Sequence, residues 1–476
     1  MEDASCQPGR SLQSTCLYDI ICVKEECVLA SINNFTEGKI AGPLVRFTIP
    51  LLLAFCLQSL YGAVDLMVVG QFGVPADVSA VSTGSQMMQM VLVVVAGLSM
   101  GATILLGQAV GAGRSKESGS LIGTSITFFI GLALILTALM LLVTVPFTRL
   151  MQAPKEAFDK TVTYVRICSV GTLFITAYNV IGSIFRGIGD SRTPLFTVAV
   201  ATVVNIIGDL VLVAVFHMAA AGAAIATVAA QGVSVVLSLL LVRRQGLPFS
   251  FGKSDVRLDK RHALDIVKLG MPIALQDGLV SISFLVIAAI VNSLGVMVSA
   301  GVGVAERVCG FIMLVPSAFS QALSTFVAQN TGANKPQRAM RGTIIAMGIS
   351  FAIDAVIAYF RFFHGDLLAA IFTSDKQLIA YAWEYLKAYA IDTLLVSFMF
   401  CFIGYFTGVG RTTFCMIQGL ICAFLVRVPV SWVMSRRVPV SLFHIGLATP
   451  SATLVGILLC IGFLLFIRKK EQNKGA

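Results

Sequence analysis

The stretch GLSMGATILLGQAVGAGRSK, residues 97–116, has a second copy in the chain: AFSQALSTFVAQNTGANKPQ, residues 318–337. Ser99 aligns with Ser320, Gln108 with Gln329, Gly111-Ala112 with Gly332-Ala333 and Arg114 with Lys335, at a constant offset of 221 residues. The same offset of 221 pairs YVRICSVGTLFITAYNVIGSIFRGIG (164–189) with YLKAYAIDTLLVSFMFCFIGYFTGVG (385–410). There Tyr164 meets Tyr385, Thr172-Leu173 meets Thr393-Leu394, and GIG meets GVG. One offset across two separated blocks marks a tandem duplication.

Composition gives the solvent in which the copies fold. Of the 476 residues, 57% are hydrophobic and 12% charged, where a soluble domain carries about 25% charge. Mean hydropathy is +0.89. Apolar runs of roughly 20 residues or more, enough to cross a bilayer core as a helix, fall at 44–72, 77–109, 119–145, 160–184, 193–216 and 219–243. They recur at 264–294, 297–330, 339–361, 382–406, 412–434 and 447–467. The runs are too long and too uniformly apolar for barrel strands. The expected fold is an all-α integral membrane protein of twelve transmembrane helices. An even number of spans per copy makes the two six-helix repeats parallel, with a substrate cavity between them. The expected divisions are a polar, disordered leader (1–37), an N-lobe (38–243), a cytoplasmic linker (244–263), a C-lobe (264–467) and a basic tail (468–476).

The net charge of +10 reads as topology rather than as a nucleic-acid surface. With both termini in the cytoplasm, inner loops and tails hold 23 of the 34 Lys and Arg. Outer loops hold 7: Arg149, Lys155, Lys160, Arg361, Lys376, Arg436 and Arg437. That bias fits the positive-inside rule, and basic loops beside anionic lipid account for the charge. The leader has no apolar core long enough for a signal peptide. Its Cys6, Cys16, Cys22 and Cys27 match no zinc spacing. The remaining cysteines read as small packing residues.

Against this background VVNIIGDLVLV (203–213) stands out, because Asn205 and Asp209 share one helix face. An ionisable group in a spanning helix costs about 2.5–3.5 kcal/mol on insertion scales and usually faces a cavity or a partner. The duplication serves as an internal control. Asn205 aligns with Val426, Asp209 with Val430 and Thr227 with Ala448, while Asp65 falls opposite Val286 or Ile287. The scaffold does not require these polar groups, so they mark a task of the first half. Two carboxylates held together away from water favour sharing a proton, and the same oxygens suit a hard cation such as Na⁺.

The leading GKIAGPLVRFTIP, the loop FRGIGDSRTP (185–194) and the loop FVAQNTGANKPQRA (326–339) together resemble the multidrug and toxic compound extrusion (MATE) family, over residues 38–467. Asp in the first helix, Asn-x-x-x-Asp in the fifth and Thr in the sixth is similar to the DinF-like branch. That resemblance implies a proton or cation site at Asp65, Asn205, Asp209 and Thr227, with Tyr164 nearby. The acid that the NorM-like branch carries in its seventh helix has no counterpart, since Asp277 follows GMP too closely. The implied activity is secondary antiport: export of lipophilic or cationic drugs, dyes and toxins in exchange for H⁺ or Na⁺. No cofactor is implied. The expected setting is a bacterial cytoplasmic membrane, with small-molecule substrates, lipid contacts, no nucleic acid and a monomer.

Other candidates are weighed by chemistry. Asp277, Glu306, Arg307 and Asp392 are candidate cavity residues, although Glu306 and Arg307 also suit neutralisation within the bundle. Asp354 suits either a cationic substrate or packing, and Arg427 has no assigned partner. Pro50 and Pro272 occupy corresponding places in the two halves, and proline permits a bend, which makes Pro50 a conformational candidate. An enzyme is not expected: the four His are dispersed and neither DDxxD nor HExxH occurs. GAGRSKES lacks the spacing of a nucleotide-binding loop. A flippase for a lipid-linked precursor is the alternative reading, with a channel or membrane enzyme more distant.

Overall fold

The computed structural model describes residues 35–249 and 251–475. The four leader cysteines and residues 1–34 of the leader lie outside these. Among the described residues the chain is helical, without strands. The first half contains α1 (Ala41–Phe72), α2 (Pro75–Gly111), α3 (Ser115–Leu150), α4 (Lys155–Val170), α5 (Thr172–Ile188), α6 (Arg192–Asp209) and α7 (Ala219–Gln245). The second contains α8 (Lys260–Asn292), α9 (Val296–Ile312), α10 (Leu314–Gly332), α11 (Pro336–Phe363), the short α12 (Gly365–Ala370) and α13 (Lys376–Gly408). It closes with α14 (Thr412–Leu420), α15 (Val428–Ser435), the short α16 (Leu442–Gly446) and α17 (Ala448–Gly475). Among the described residues, eleven helical segments are long and apolar enough to cross a membrane. The pair α4–α5, bent by 51° at Gly171, makes the twelfth span.

Local chemistry sets where the helices begin. Pro75 and Pro336 open α2 and α11, where a missing N–H costs nothing. Asp259 Oδ1 accepts from Arg261 N at 2.8 Å to cap α8, and Asp375 Oδ1 accepts from Gln377 N at 2.8 Å to cap α13. Asp190 Oδ1 does the same for α6 through Arg192 N at 2.9 Å. The duplication reappears in three dimensions: Pro75 and Val296, Ser115 and Pro336, and Lys155 and Lys376 start helices 221 residues apart. It breaks at Gly171. There a Cβ would overlap Val228 on α7, and the chain bends, whereas α13 runs straight through the aligned Asp392.

The lobes meet at the end that carries the basic loops. One apolar cluster joins Leu44, Phe47 and Leu51 of α1 to Ala322, Leu323 and Phe326 of α10. Another joins Leu98 and Ala102 of α2 to Ile266 of α8. At the opposite end, the clusters among the described residues stay within one lobe each, around Val68, Val81 and Val165 in the first and Ile287, Val302 and Leu386 in the second. The molecule is therefore sealed at the basic end and parted at the other.

The seal has near two-fold symmetry. Gln108 Nε2 donates to Gly408 O at 3.1 Å, and its repeat mate Gln329 donates to Gly187 O at 3.0 Å. A strap adds to it. Phe35, assigned with the disordered leader by sequence, is 0% exposed and wedges against Phe47 and Phe326. Arg338 donates to the carbonyls of Phe35, Glu37 and Gly38 at 2.9, 2.6 and 2.8 Å. The end of the leader is thus tied across to the second lobe.

Arg361 lies inside the bundle, near the end of α11. Sequence places it in an outer loop, but it is 0% exposed. Its guanidinium donates to Thr393 Oγ1 at 2.6 Å and faces the Tyr389 ring at 5.5 Å, tying α11 to α13. Truncation leaves a large void. Arg361→Ala is expected to cost about 2–5 kcal/mol, read as a lowered thermal midpoint of the detergent-solubilised protein. Exposed Arg307→Ala is the matched control, expected to leave the midpoint in place.

Candidate functional site

Two chambers lie between the lobes. The first, about 710 Å³, is walled by α1, α2, α4, α5, α6, α7 and α8. The second, about 560 Å³, is walled chiefly by C-lobe helices, with Ala96, Gly97 and Met100 of α2 completing it. They share Ala96, Asp277 and Val280, so Asp277 stands at their junction.

Asp65 of α1 and Thr227 of α7 line the first chamber. Thr227 Oγ1 donates to Asp65 Oδ2 at 3.2 Å. The Asp65 carboxyl also faces the side chains of Asp209 and Asn205 on α6. Both α6 residues are 0% exposed and lie behind Asp65, off the chamber wall. Helix geometry explains the cluster. Asn205 and Asp209 are one turn apart, and α6 lies close to α7 because Gly208 packs on Ala226. Immediately after Asp209 the helix widens into a π-helical turn, Leu210–Val215, a distortion that often marks functional sites.

The cluster is short of partners. Asp65 Oδ1, both Asp209 oxygens and both polar atoms of the Asn205 amide, Oδ1 and Nδ2, are buried without a hydrogen-bond partner in the protein. Buried polar atoms are normally satisfied. This oxygen-rich set fits a proton or a hard cation. Among the described residues no group of three His, Cys, Asp or Glu is arranged to hold a metal ion, so a thiolate or imidazole metal centre is not what this cluster offers.

The other predicted residues fall as follows. Tyr164 lines the same chamber, but its hydroxyl pairs with Ser85 at 3.0 Å and not with the acids. Pro50 is buried in α1, four turns from Asp65 and beside the cross-lobe cluster. Asp277, Glu306 and Asp392 line the second chamber. Arg307 does not: it is exposed, on a different face of α9 from Glu306. The positions aligned with the cluster are apolar, with Ile287 and Ala448 buried in the C-lobe.

Sequence reading missed a polar rim around the first chamber. Gln58 donates to the Tyr178 hydroxyl at 2.7 Å, and Gln231 reaches the Tyr61 hydroxyl at 3.4 Å. The signal was present as spacing. Gln58, Tyr61 and Asp65 recur three and four residues apart, as do Thr227 and Gln231, which is one helix face in each case. Tyr164 depends on Gly84, where a Cβ would overlap its ring. Gly84→Ala is expected to cost about 1–3 kcal/mol through overpacking and to weaken dye binding. Equal ethidium affinity for wild type and variant, measured by fluorescence titration, contradicts this placement of Tyr164.

The chain is 27% identical over 434 residues to the probable multidrug resistance protein YoeA of Bacillus subtilis (strain 168), covering 90% of this chain and 94% of that one. It is 29% identical over 404 residues to the probable multidrug resistance protein YpnP of the same organism, covering 84% and 90%. The fold matches a MATE crystal structure in the bent conformation, with a TM-score of 0.85 at 19% identity over 92% of this chain and 98% of that one. It also matches the outward-facing conformation of a multidrug resistance MATE family transporter of the MOP superfamily, with a TM-score of 0.84 at 20% identity over 92% and 97%. The profile of the MatE family matches residues 50–211 and 272–433, one stretch in each half. With both repeats matched, this chain belongs to the MatE family of membrane transporters and is not an enzyme.

Proposed function

We propose that the protein is a secondary antiporter that exports lipophilic, often cationic, compounds across a bacterial cytoplasmic membrane, driven by inward movement of H⁺ or Na⁺. The observation that carries this reading is the buried, under-satisfied cluster of Asp65, Asp209, Asn205 and Thr227 at the wall of the first chamber. Relatives named as multidrug resistance proteins support the substrate class. The basic loops support a cytoplasmic sealed end and cytoplasmic termini, with the parted chambers opening outward.

The proposed cycle follows from linkage. A proton or Na⁺ taken up from outside neutralises the Asp65–Asp209 pair and favours one packing of α1 against α6 and α7. A bound cation favours the other. An ion drives the transition only by its differential affinity for the two states. Pro50 frees the carbonyl of Arg46 from helix bonding, giving α1 a bend point at the cross-lobe seam. One chain supplies the walls of both chambers, and the working unit is a monomer.

The flippase alternative needs basic walls for a pyrophosphate. Among the described residues, the charged lining of the two chambers is Asp65, Asp277, Glu306 and Asp392 against Arg427 alone, which disfavours it. The test is ethidium efflux from proteoliposomes under a proton or a sodium gradient imposed separately. Efflux driven by one gradient names the ion, and no efflux under either rejects the antiport reading.

A further inference from the structure

Arg427 is a charged group that this mechanism leaves unused. It is 7% exposed and lines the second chamber. Burying a guanidinium is costly unless it is paired, yet no carboxylate lies within ion-pair distance of it among the described residues. Its contacts are a 3.3 Å hydrogen bond from Nη1 to Ser283 Oγ and a cation–π stack on Phe284 at 4.4 Å. Nε has no acceptor. The residue ends the π-helical turn Ile421–Arg427, in the helix that repeats α6, whose own π turn follows Asp209. At the offset of 221 its mate is Ile206. The arginine is therefore as specific to the C-lobe as Asp209 is to the N-lobe.

The same chamber holds acids in a matching condition. Glu306 Oε1 is buried without a donor, and Asp392 accepts from Thr453 Oγ1 at 2.6 Å through Oδ1 while its Oδ2 is also buried without a donor. Arg427 and Glu306 form no ion pair with each other. Around them, Met100, Met313, Met399 and Phe400 supply an adaptable apolar wall.

We propose that the second chamber is a site for amphipathic zwitterions, in which Arg427 takes a substrate carboxylate and Glu306 the cationic nitrogen. The planar guanidinium fork matches a carboxylate with two parallel hydrogen bonds. Phe284 holds the fork in plane, and Ser283 anchors one nitrogen. The proposal rests on the exporter reading and names a substrate class within it.

The test uses a rhodamine with a free benzoate carboxylate and its methyl ester, which share one cationic body. Binding to the purified full-length protein in detergent is read by fluorescence polarisation. Wild type is expected to bind both. Arg427→Gln is expected to weaken the free acid about tenfold, the worth of a hydrogen-bonded charge, and to change the ester less than about twofold. Arg427→Lys keeps the charge without the fork and gives a smaller loss confined to the acid; it carries the test if the Gln variant does not fold. Failure of wild type to bind the acid, or equal effects of the substitutions on acid and ester, overturns the proposal. Gradient-driven efflux of the ester by wild type reports on the exporter reading separately, so the two can fail independently.

Discussion

Asp209→Asn is expected to abolish ion-driven efflux while leaving the protein folded. The side chain is 0% exposed and its oxygens accept no hydrogen bond from the protein. The amide has the same shape, and removing a buried charge lowers a desolvation cost, so the thermal midpoint is expected to hold or rise. What is lost is chemistry. An amide neither takes up a proton near neutral pH nor offers net charge to Na⁺, and Asp65 alone no longer forms a like-charged pair. Coupling energies between sites typically correspond to about 5–150-fold, so gradient-driven ethidium efflux is expected to fall at least about tenfold. Asp65→Asn is expected to match it. The control is Asp354→Asn. That residue is also 0% exposed, but it is bound by Ser350 at 3.0 Å and lies off both chambers. Efflux in that variant is expected to stay within about twofold of wild type, as for substitutions away from a functional feature.

The second large effect concerns the seal. A Cβ on Gly111 would overlap the carbonyl oxygen of Gln329, and a Cβ on Gly332 would overlap that of Gln108. Ala at either position therefore forces the lobes apart at the basic end, where α2 and α10 touch. It leaves each lobe's own core untouched. The cost of overpacking, about 1–3 kcal/mol, falls on the sealed arrangement alone, which shifts the sealed-to-open ratio by up to on the order of a hundredfold. Gly111→Ala and Gly332→Ala are expected to act alike because the two contacts are repeat mates. The measurement is labelling of the thiol introduced by Ala328→Cys, a position 0% exposed against Gly107, by a membrane-impermeant maleimide from the cytoplasmic face. Faster labelling in both Gly variants is expected, and an unchanged rate contradicts the seal.

How much of this was legible depended on the kind of signal. The duplication was, because a fixed offset survives when side chains diverge, and the start residues of α2, α3 and α4 repeat it. Asp65, Asn205, Asp209 and Thr227 stood out as charge and polarity that the second copy lacks. Their meeting point was not legible, since Asp65 and Thr227 are 162 residues apart and only the packing of α1, α6 and α7 brings them together. Arg307 was misjudged by adjacency to Glu306: consecutive helical residues point about 100° apart, so one can face the chamber while the other faces out. Arg361 was misjudged because a charge near the predicted end of a span reads as loop, and its partners, Cys309 on α9 and Thr393 and Tyr389 on α13, are invisible in one dimension. The bend at Gly171 was hidden because the cause sits on α7. Phe35 was hidden by the polar residues around it.

The central claim is that cargo and ion compete through the Asp65–Asp209 cluster. It is tested most directly by adding ethidium to purified protein in weakly buffered solution, once with a pH indicator and once with bound radioactive sodium. Binding linkage requires reciprocity. The account predicts release of a proton or of Na⁺ as ethidium binds, and its absence in Asp209→Asn although ethidium still binds. Ethidium binding by wild type with neither ion released, or release undiminished in the variant, contradicts it.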